Sequence, residues 1–148
     1  MFALCLLYAC GGKPESTENK GTQPVTEKPA ESKPETYDPK RGIGKWTAET
    51  LQLGALDPQM AAEGQKVQGL KCASCHKLTD ERLVGPGWKG VTKRRQPEWI
   101  MNFITNPDPM ITKDPILQAQ LEICLVRMPN QNLTKDESRE VLEFMRTL

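Results

Sequence analysis

The sequence predicts an all-α domain of four to five short helices, preceded by a disordered N-terminal stretch. Three observations predict it. Several apolar-periodic segments are each opened or closed by a proline or a capping residue. No alternating apolar–polar run reads as a strand. The early part of the chain mixes proline with charged and hydroxyl residues and has almost nothing to bury. The chain has 148 residues, 12 of them proline, with a formal net charge of +1. That near-neutral balance gives no case for a nucleic-acid partner.

Residues 1–10 read MFALCLLYAC, an apolar run ending in a cysteine after the small Ala9. The run is far too short for a transmembrane span. It resembles the end of a bacterial lipoprotein signal, in which Cys10 receives the lipid and becomes the first residue. No basic n-region precedes Phe2, so the true start is expected upstream. Residues 11–41 hold five prolines among Glu, Lys, Ser and Thr, with only Val25 and Tyr37 sizeable and apolar. Such a segment cannot offset its ordering entropy by burial. It reads as a linker of roughly 30 Å as a flexible coil, suited to tether a domain to a membrane surface.

The domain is expected over 42–148. DPQMAAEGQKVQGL opens with Asp57 as N-cap and Pro58 at the first helical position and runs into KCASCHKLTD. PEWIMNFITNP opens on Pro97 and stops before Pro107, with Trp99, Ile100, Phe103 and Ile104 on one face. DPILQAQLEICL again opens on Asp-Pro and places Leu117, Leu121, Cys124 and Leu125 at helical spacing. TKDESREVLEFMRTL begins with a Thr134–Glu137 capping box and carries the stripe Val141, Phe144, Met145, Leu148. With three phenylalanines and three tryptophans in the whole chain, these helices have a thin core. A large planar apolar cofactor at the centre would explain how so short a helical domain holds together.

Cys72, Cys75 and His76 decide what that cofactor is. A zinc site wants four ligands, and here no second pair exists: Cys124 stands alone and His76 is the only histidine. A thioredoxin-like dithiol wants a strand–helix setting, whereas a helix precedes this motif. The remaining reading is covalent haem attachment, C-x-x-C-H. Two thiols three positions apart on a helical turn reach two vinyl groups of one porphyrin, and the next residue presents an imidazole to the iron. Met60, Met101 and Met145 fall in predicted helices, where filling the core is their expected work. Met110 and Met128 fall in predicted loops and are the candidates for the opposite side of the iron.

EGQKVQGLKCASCH, then VGPGWKGV, then a late MPN and a C-terminal helix resemble a mono-haem class I cytochrome c over about residues 54–148. RRQPEWIMNFI through KDP to MPNQNLT is similar to small membrane-tethered cytochromes encoded beside nitrous oxide reductase in some bacteria. The resemblance implies one covalent haem c with His76 and Met128 as axial ligands of the iron, Met128 lying in the family's Met-Pro loop. It implies that the Pro86 carbonyl accepts the His76 ring N–H, that Trp88 packs on the haem, and that Arg94 neutralises a propionate. It places Gly64 at a close contact with the C-terminal helix near Phe144. Gln68 departs from the pattern, which often has an aromatic there. Cys124 is expected as a small buried hydrophobe.

A haem with both axial positions filled implies an electron carrier rather than an enzyme. A small peroxidase would need an open sixth position and an acid–base group, and a subunit of a larger oxidase is the other alternative. The expected partners are a membrane quinol-oxidising complex as donor and a terminal reductase or oxidase, such as nitrous oxide reductase, as acceptor. The expected place is the periplasmic side of a bacterial membrane, held by the lipid on Cys10. Residues 71–95 carry seven Lys/Arg against Asp80 and Glu81, a net +5, and such a basic rim is expected to steer docking on an acidic partner.

Overall fold

The computed structural model describes residues 37–148. Cys10 and residues 11–36 of the predicted linker lie outside the described residues. Among those described there are seven helices and no strand: α1 Ala48–Leu51, α2 Pro58–Lys71, α3 Val91–Arg94, α4 Pro97–Thr105, α5 Pro107–Lys113, α6 Pro115–Cys124 and α7 Lys135–Met145. The predicted starts are where they were expected. Asp57 accepts from the N–H of Gln59 and Met60 at 2.9 and 3.0 Å. Asp114 caps α6 through Ile116 and Leu117. Thr134 and Glu137 exchange the two bonds of a capping box at 2.8 and 3.1 Å.

One helix is absent from the sequence reading. Met110 was expected in a proline-rich loop, but it lies in α5 and is fully buried. Pro107 and Pro109 occupy the first and third positions of that helix, where the backbone N–H has no intrahelical acceptor to lose. Two prolines therefore start α5 rather than prevent it. α6 also ends sooner than its apolar stripe suggests. Leu125 takes a left-handed conformation (φ 57°) and is 83% exposed.

α2 packs along α7 more extensively than any other pair of helices. α2 has no wide apolar stripe: its buried residues are Ala61, Gly64 and Gln68. A Cβ at Gly64 would lie 2.0 Å from the backbone oxygen of Glu140, so only glycine permits this approach. The C-terminal helix is the partner expected of Gly64, but the contact is the Glu140–Val141 backbone, one turn before Phe144. Gln68 is buried where an aromatic would have been bulkier. Its carbonyl accepts from both Cys72 and Ala73 at 2.9 Å, closing the end of the helix.

The predicted linker boundary at residue 41 is too late. Residues 37–41 are fixed to the domain, because Tyr37 donates its phenol proton to Asp114 and the Arg41 carbonyl accepts from Asn102 at 3.0 Å. Asn102, 1% exposed on α4, also accepts from Trp46 N–H at 2.9 Å and donates to the Trp46 carbonyl at 3.0 Å. Gly42 sits against the end of Met110, so close that a Cβ would lie 2.3 Å from its methyl carbon. Farther along, Glu143 of α7 is fully buried. It accepts from the Asp57 N–H at 2.8 Å and from Arg146 at 2.7 Å, and Arg139 donates to its other oxygen. The chain before α2 is thus strapped across α4 and the end of α7 by buried polar groups that each have partners.

Candidate functional site

The end of α2 sets the geometry of the cysteine motif. The N–H groups of Cys75 and His76 both return to the Cys72 carbonyl, at 3.1 and 3.0 Å. This turn brings the two cysteines and the imidazole to one side of the chain. The following loop is bonded back onto the motif: Gly85 N–H to the Cys75 carbonyl at 2.8 Å, Trp88 N–H to Lys77 at 2.9 Å, Lys89 N–H to Thr79 at 3.2 Å. Gly85 lies flat against His76, where a Cβ would come within 2.3 Å of the ring.

His76 Nδ1 and the Pro86 carbonyl are 2.8 Å apart. A carbonyl can only accept, so Nδ1 carries the proton and Nε2 keeps its lone pair. Burial lowers the imidazole's basicity, with the Pro86 bond working weakly the other way. The ring is therefore neutral and competent as a ligand, and its partner fixes the tautomer. Trp88, 5% exposed, backs the ring with centroids 5.6 Å apart. Burial also pushes the Cys72 thiol up to about 11, against the opposing pull of Lys71.

These residues form one wall of an apolar cavity with two lobes, a larger one lined by 24 residues and a smaller one lined by 14. Cys72, Cys75 and His76 face Phe103 and Ile104 from α4, Ile111 from α5, Leu117, Leu121 and Cys124 from α6, and Met128. His76, Trp88 and Met128 line both lobes. The structure thus separates the two loop candidates. Met128 lines the cavity, whereas Met110 is buried away from it beneath Gly42. Met145 also touches the smaller lobe, from α7. Cys124 is half-buried at the cavity wall rather than fully buried in a helix interface.

Two residues that position Met128 escaped the sequence reading. Arg127 donates to the Asp108 carboxylate at 2.9 Å and to its carbonyl at 3.1 Å. Asn130 donates to the Thr105 carbonyl at 3.4 Å. They pin the loop on either side of Met128-Pro129 to α4 and α5, and their polarity beside that dipeptide is the only signal the sequence offers. Arg94 lines the smaller lobe and also clasps the preceding loop by donating to the carbonyls of Lys89 and, at 3.0 Å, Gly87. Of the basic residues counted along 71–95, Lys71 is paired with Glu137 at 2.7 Å and Lys77 with Glu81 at 2.8 Å. Among the described residues no helix is long and apolar enough to cross a membrane.

The Cytochrome c family matches residues 61–148, more than half of the chain, a range that holds every residue lining the cavity. The chain belongs to the cytochrome c family. Among solved structures, cytochrome c from Rhodothermus marinus is similar at 33% identity and a TM-score of 0.65, covering 74% of this chain and 90% of that one. An engineered cytochrome c from the same organism is similar at 32% identity and a TM-score of 0.65, covering 74% and 96%. The same engineered protein bound to a carbene intermediate is similar at 32% identity and a TM-score of 0.62. No curated protein sequence matches. Membership makes this a class I cytochrome c fold, helical throughout its described elements, and implies covalent haem c and electron transfer as the family's work.

Proposed function

We propose that this cytochrome c carries one haem and shuttles single electrons, with iron cycling between Fe(II) and Fe(III). The observation that carries the reading is the convergence of two thiols, one neutral imidazole and one thioether on a single apolar cavity. Cys72 and Cys75 would bond the porphyrin, and His76 and Met128 would take the two axial positions. Pro86 holds the imidazole's orientation through Nδ1, and Arg127 and Asn130 hold the Met128 loop. Trp88 packs beneath His76, and Arg94 offers its charge at the smaller lobe. A thioether raises the potential and fills the site, which favours a carrier over an enzyme.

The wider setting we propose is the periplasmic side of a bacterial membrane, with a lipid on Cys10 and residues 11–36 as tether. LYAC followed by a Pro/Glu/Lys tract supports this. Electrons would come from a quinol-oxidising membrane complex and pass to a terminal oxidase or reductase. The resemblance of RRQPEWIMNFI through MPNQNLT to cytochromes encoded beside nitrous oxide reductase supports that enzyme as the acceptor.

Mass spectrometry after acid denaturation should show one haem mass retained on the chain. Haem that extracts freely into organic solvent refutes covalent attachment. Met128→Ala should abolish the sulfur-to-iron absorption of the ferric protein, lower the potential and admit CO, while Met110→Ala leaves all three unchanged. Wild-type protein that binds CO rapidly and turns over peroxide many times per haem would move the assignment to a haem enzyme. Cys10→Ala should release the protein into the soluble fraction, and unchanged membrane association would count against the lipid.

A further inference from the structure

Behind the haem cavity, two oxidisable rings share one buried carboxylate. Asp114 is 1% exposed. Its Oδ1 is occupied in capping α6 through Ile116 and Leu117, at 2.8 and 3.2 Å. Its Oδ2 accepts from Trp99 Nε1 at 2.9 Å and from the Tyr37 phenol. Trp99 Nε1 also lies 3.3 Å from the Tyr37 oxygen. Trp99 is buried and lines the smaller lobe of the cavity, its ring 5.1 Å from that of Phe103. Tyr37, at the start of the described fold, is half-buried and reaches the surface.

A cap for α6 needs only a carboxylate, and Oδ1 alone supplies it. A strap needs only some anchor for residue 37. Neither requirement explains why both donors on Oδ2 are the side chains easiest to oxidise by one electron and in contact with each other. We propose that Tyr37, Asp114 and Trp99 form a proton-coupled electron donor that drains excess oxidising power from the haem cavity to the protein surface. The inference rests on the haem reading above.

A peroxide that reaches the cavity takes two electrons and two solvent protons to become two waters. Haem held by Cys72, Cys75 and His76 would supply one of these electrons, its iron passing from ferrous to ferric. Tyr37 supplies the second electron through the Trp99 ring. Its O–H bond breaks, the proton passes along the existing hydrogen bond to Asp114 Oδ2, and a neutral tyrosyl radical is left at the surface. Asp114 is suited to receive that proton because it is a carboxylate at neutral pH. Burial alone would raise its pKa, but the bonds from Tyr37, Trp99 and the two α6 N–H groups hold it below its ordinary value. Burial and the Asp114 bond push the phenol up to about 12, so Tyr37 starts protonated. The Arg95 guanidinium lies 4.6 Å over the Trp99 ring. A cation there disfavours a positive charge resting on the indole, so the hole passes on to Tyr37, where loss of the proton removes the charge.

The chain has two tyrosines, Tyr8 and Tyr37, and only Tyr37 belongs to the described domain. Haem-loaded ferrous protein is mixed with hydrogen peroxide, frozen within seconds, and read by electron paramagnetic resonance; haem loss is followed by absorbance in parallel. Wild type is expected to show a tyrosyl signal, and Tyr37→Phe to lack it and to bleach its haem several-fold faster. Trp99→Phe, which keeps the phenol and its carboxylate, is expected to cut the tyrosyl yield by a similar factor. Equal haem content before mixing is checked for each variant. A haem-loaded wild type whose radical yield and bleaching match those of Tyr37→Phe overturns the relay alone. A chain that carries no haem overturns the carrier reading and the relay with it.

Discussion

The two sides of α4 are built on different principles. The side facing the strap of residues 37–57 is closed by the chain itself. Asn102 bonds three backbone groups there, Asp114 holds two rings, and Glu143 takes three donors while fully buried. The other side, where Phe103 and Ile104 meet the cysteine motif, is an apolar cavity whose walls come from the motif and its following loop, α4, α5, α6, the Met128 loop and α7. Buried polar groups with partners fix the first side without help. The second is complete only with a large apolar group between its walls, which is what a covalent haem supplies.

The largest expected effect breaks the second side. Cys72→Ala/Cys75→Ala removes both attachment points, leaving the cavity to collapse or take up water. That chain is expected to lose most of its helical circular-dichroism signal at 25 °C. Native helicity and an unchanged melting temperature in this variant would show that the apolar side closes unaided, and the contrast drawn above would fail.

The next tests the first side. Glu143→Ala leaves Arg139 and Arg146 facing a gap and frees the Asp57 N–H. A loss of about 3 kcal/mol in denaturant melts is expected for a broken buried pair. Burial alone would raise this carboxyl, but Arg139, the Asp57 N–H and Arg146 outweigh it and hold the pKa below its ordinary 4.5. A depressed carboxylate stabilises fully above its unfolded pKa and loses that contribution as pH falls through its folded one. Stability should therefore decline as pH drops below 4.5 in the wild type, and more shallowly in Glu143→Gln. Parallel pH profiles for the two would rule out this role.

Gly64→Val forces α2 away from the Glu140–Val141 backbone and should cost about 2 kcal/mol. Since α2 carries the cysteines, a shift in the haem absorption spectrum of that variant would link the two sides, and an unchanged spectrum would keep them separate. The smallest expected effect is Asp57→Ala, about 1 kcal/mol for one lost cap. It should appear in thermal melts with no change in reduction potential.

Much of the fold could be read because its signals are local. Asp57-Pro58, Pro97, Asp114-Pro115 and Thr134–Glu137 each specify a helix start within four residues, and all four are found. α5 was missed because the helix before it was read as stopping at Pro107 and Met110 as lying in a loop, when Pro107 and Pro109 both sit where a first turn tolerates them. The tether boundary was missed because Tyr37 gains its place from Asp114 and Trp99, 77 and 62 positions away.

The site divides in the same way. Cys72, Cys75 and His76 are set by spacing along one turn, so the sequence by itself pointed to covalent haem attachment, the chemistry that the cytochrome c family implies. Local pattern alone did not separate Met128 from Met110, since both were read in loops beside a proline, and only the family resemblance pointed to Met128. Only the tertiary structure decided which one lines the cavity: α5 turns Met110 under Gly42, and the Arg127–Asp108 pair holds the Met128 loop against the opposite wall. The shared carboxylate of Tyr37 and Trp99 was likewise invisible in the sequence. Local propensity governs bonds a few residues apart, whereas contacts between distant segments exist only once the chain has closed around its core.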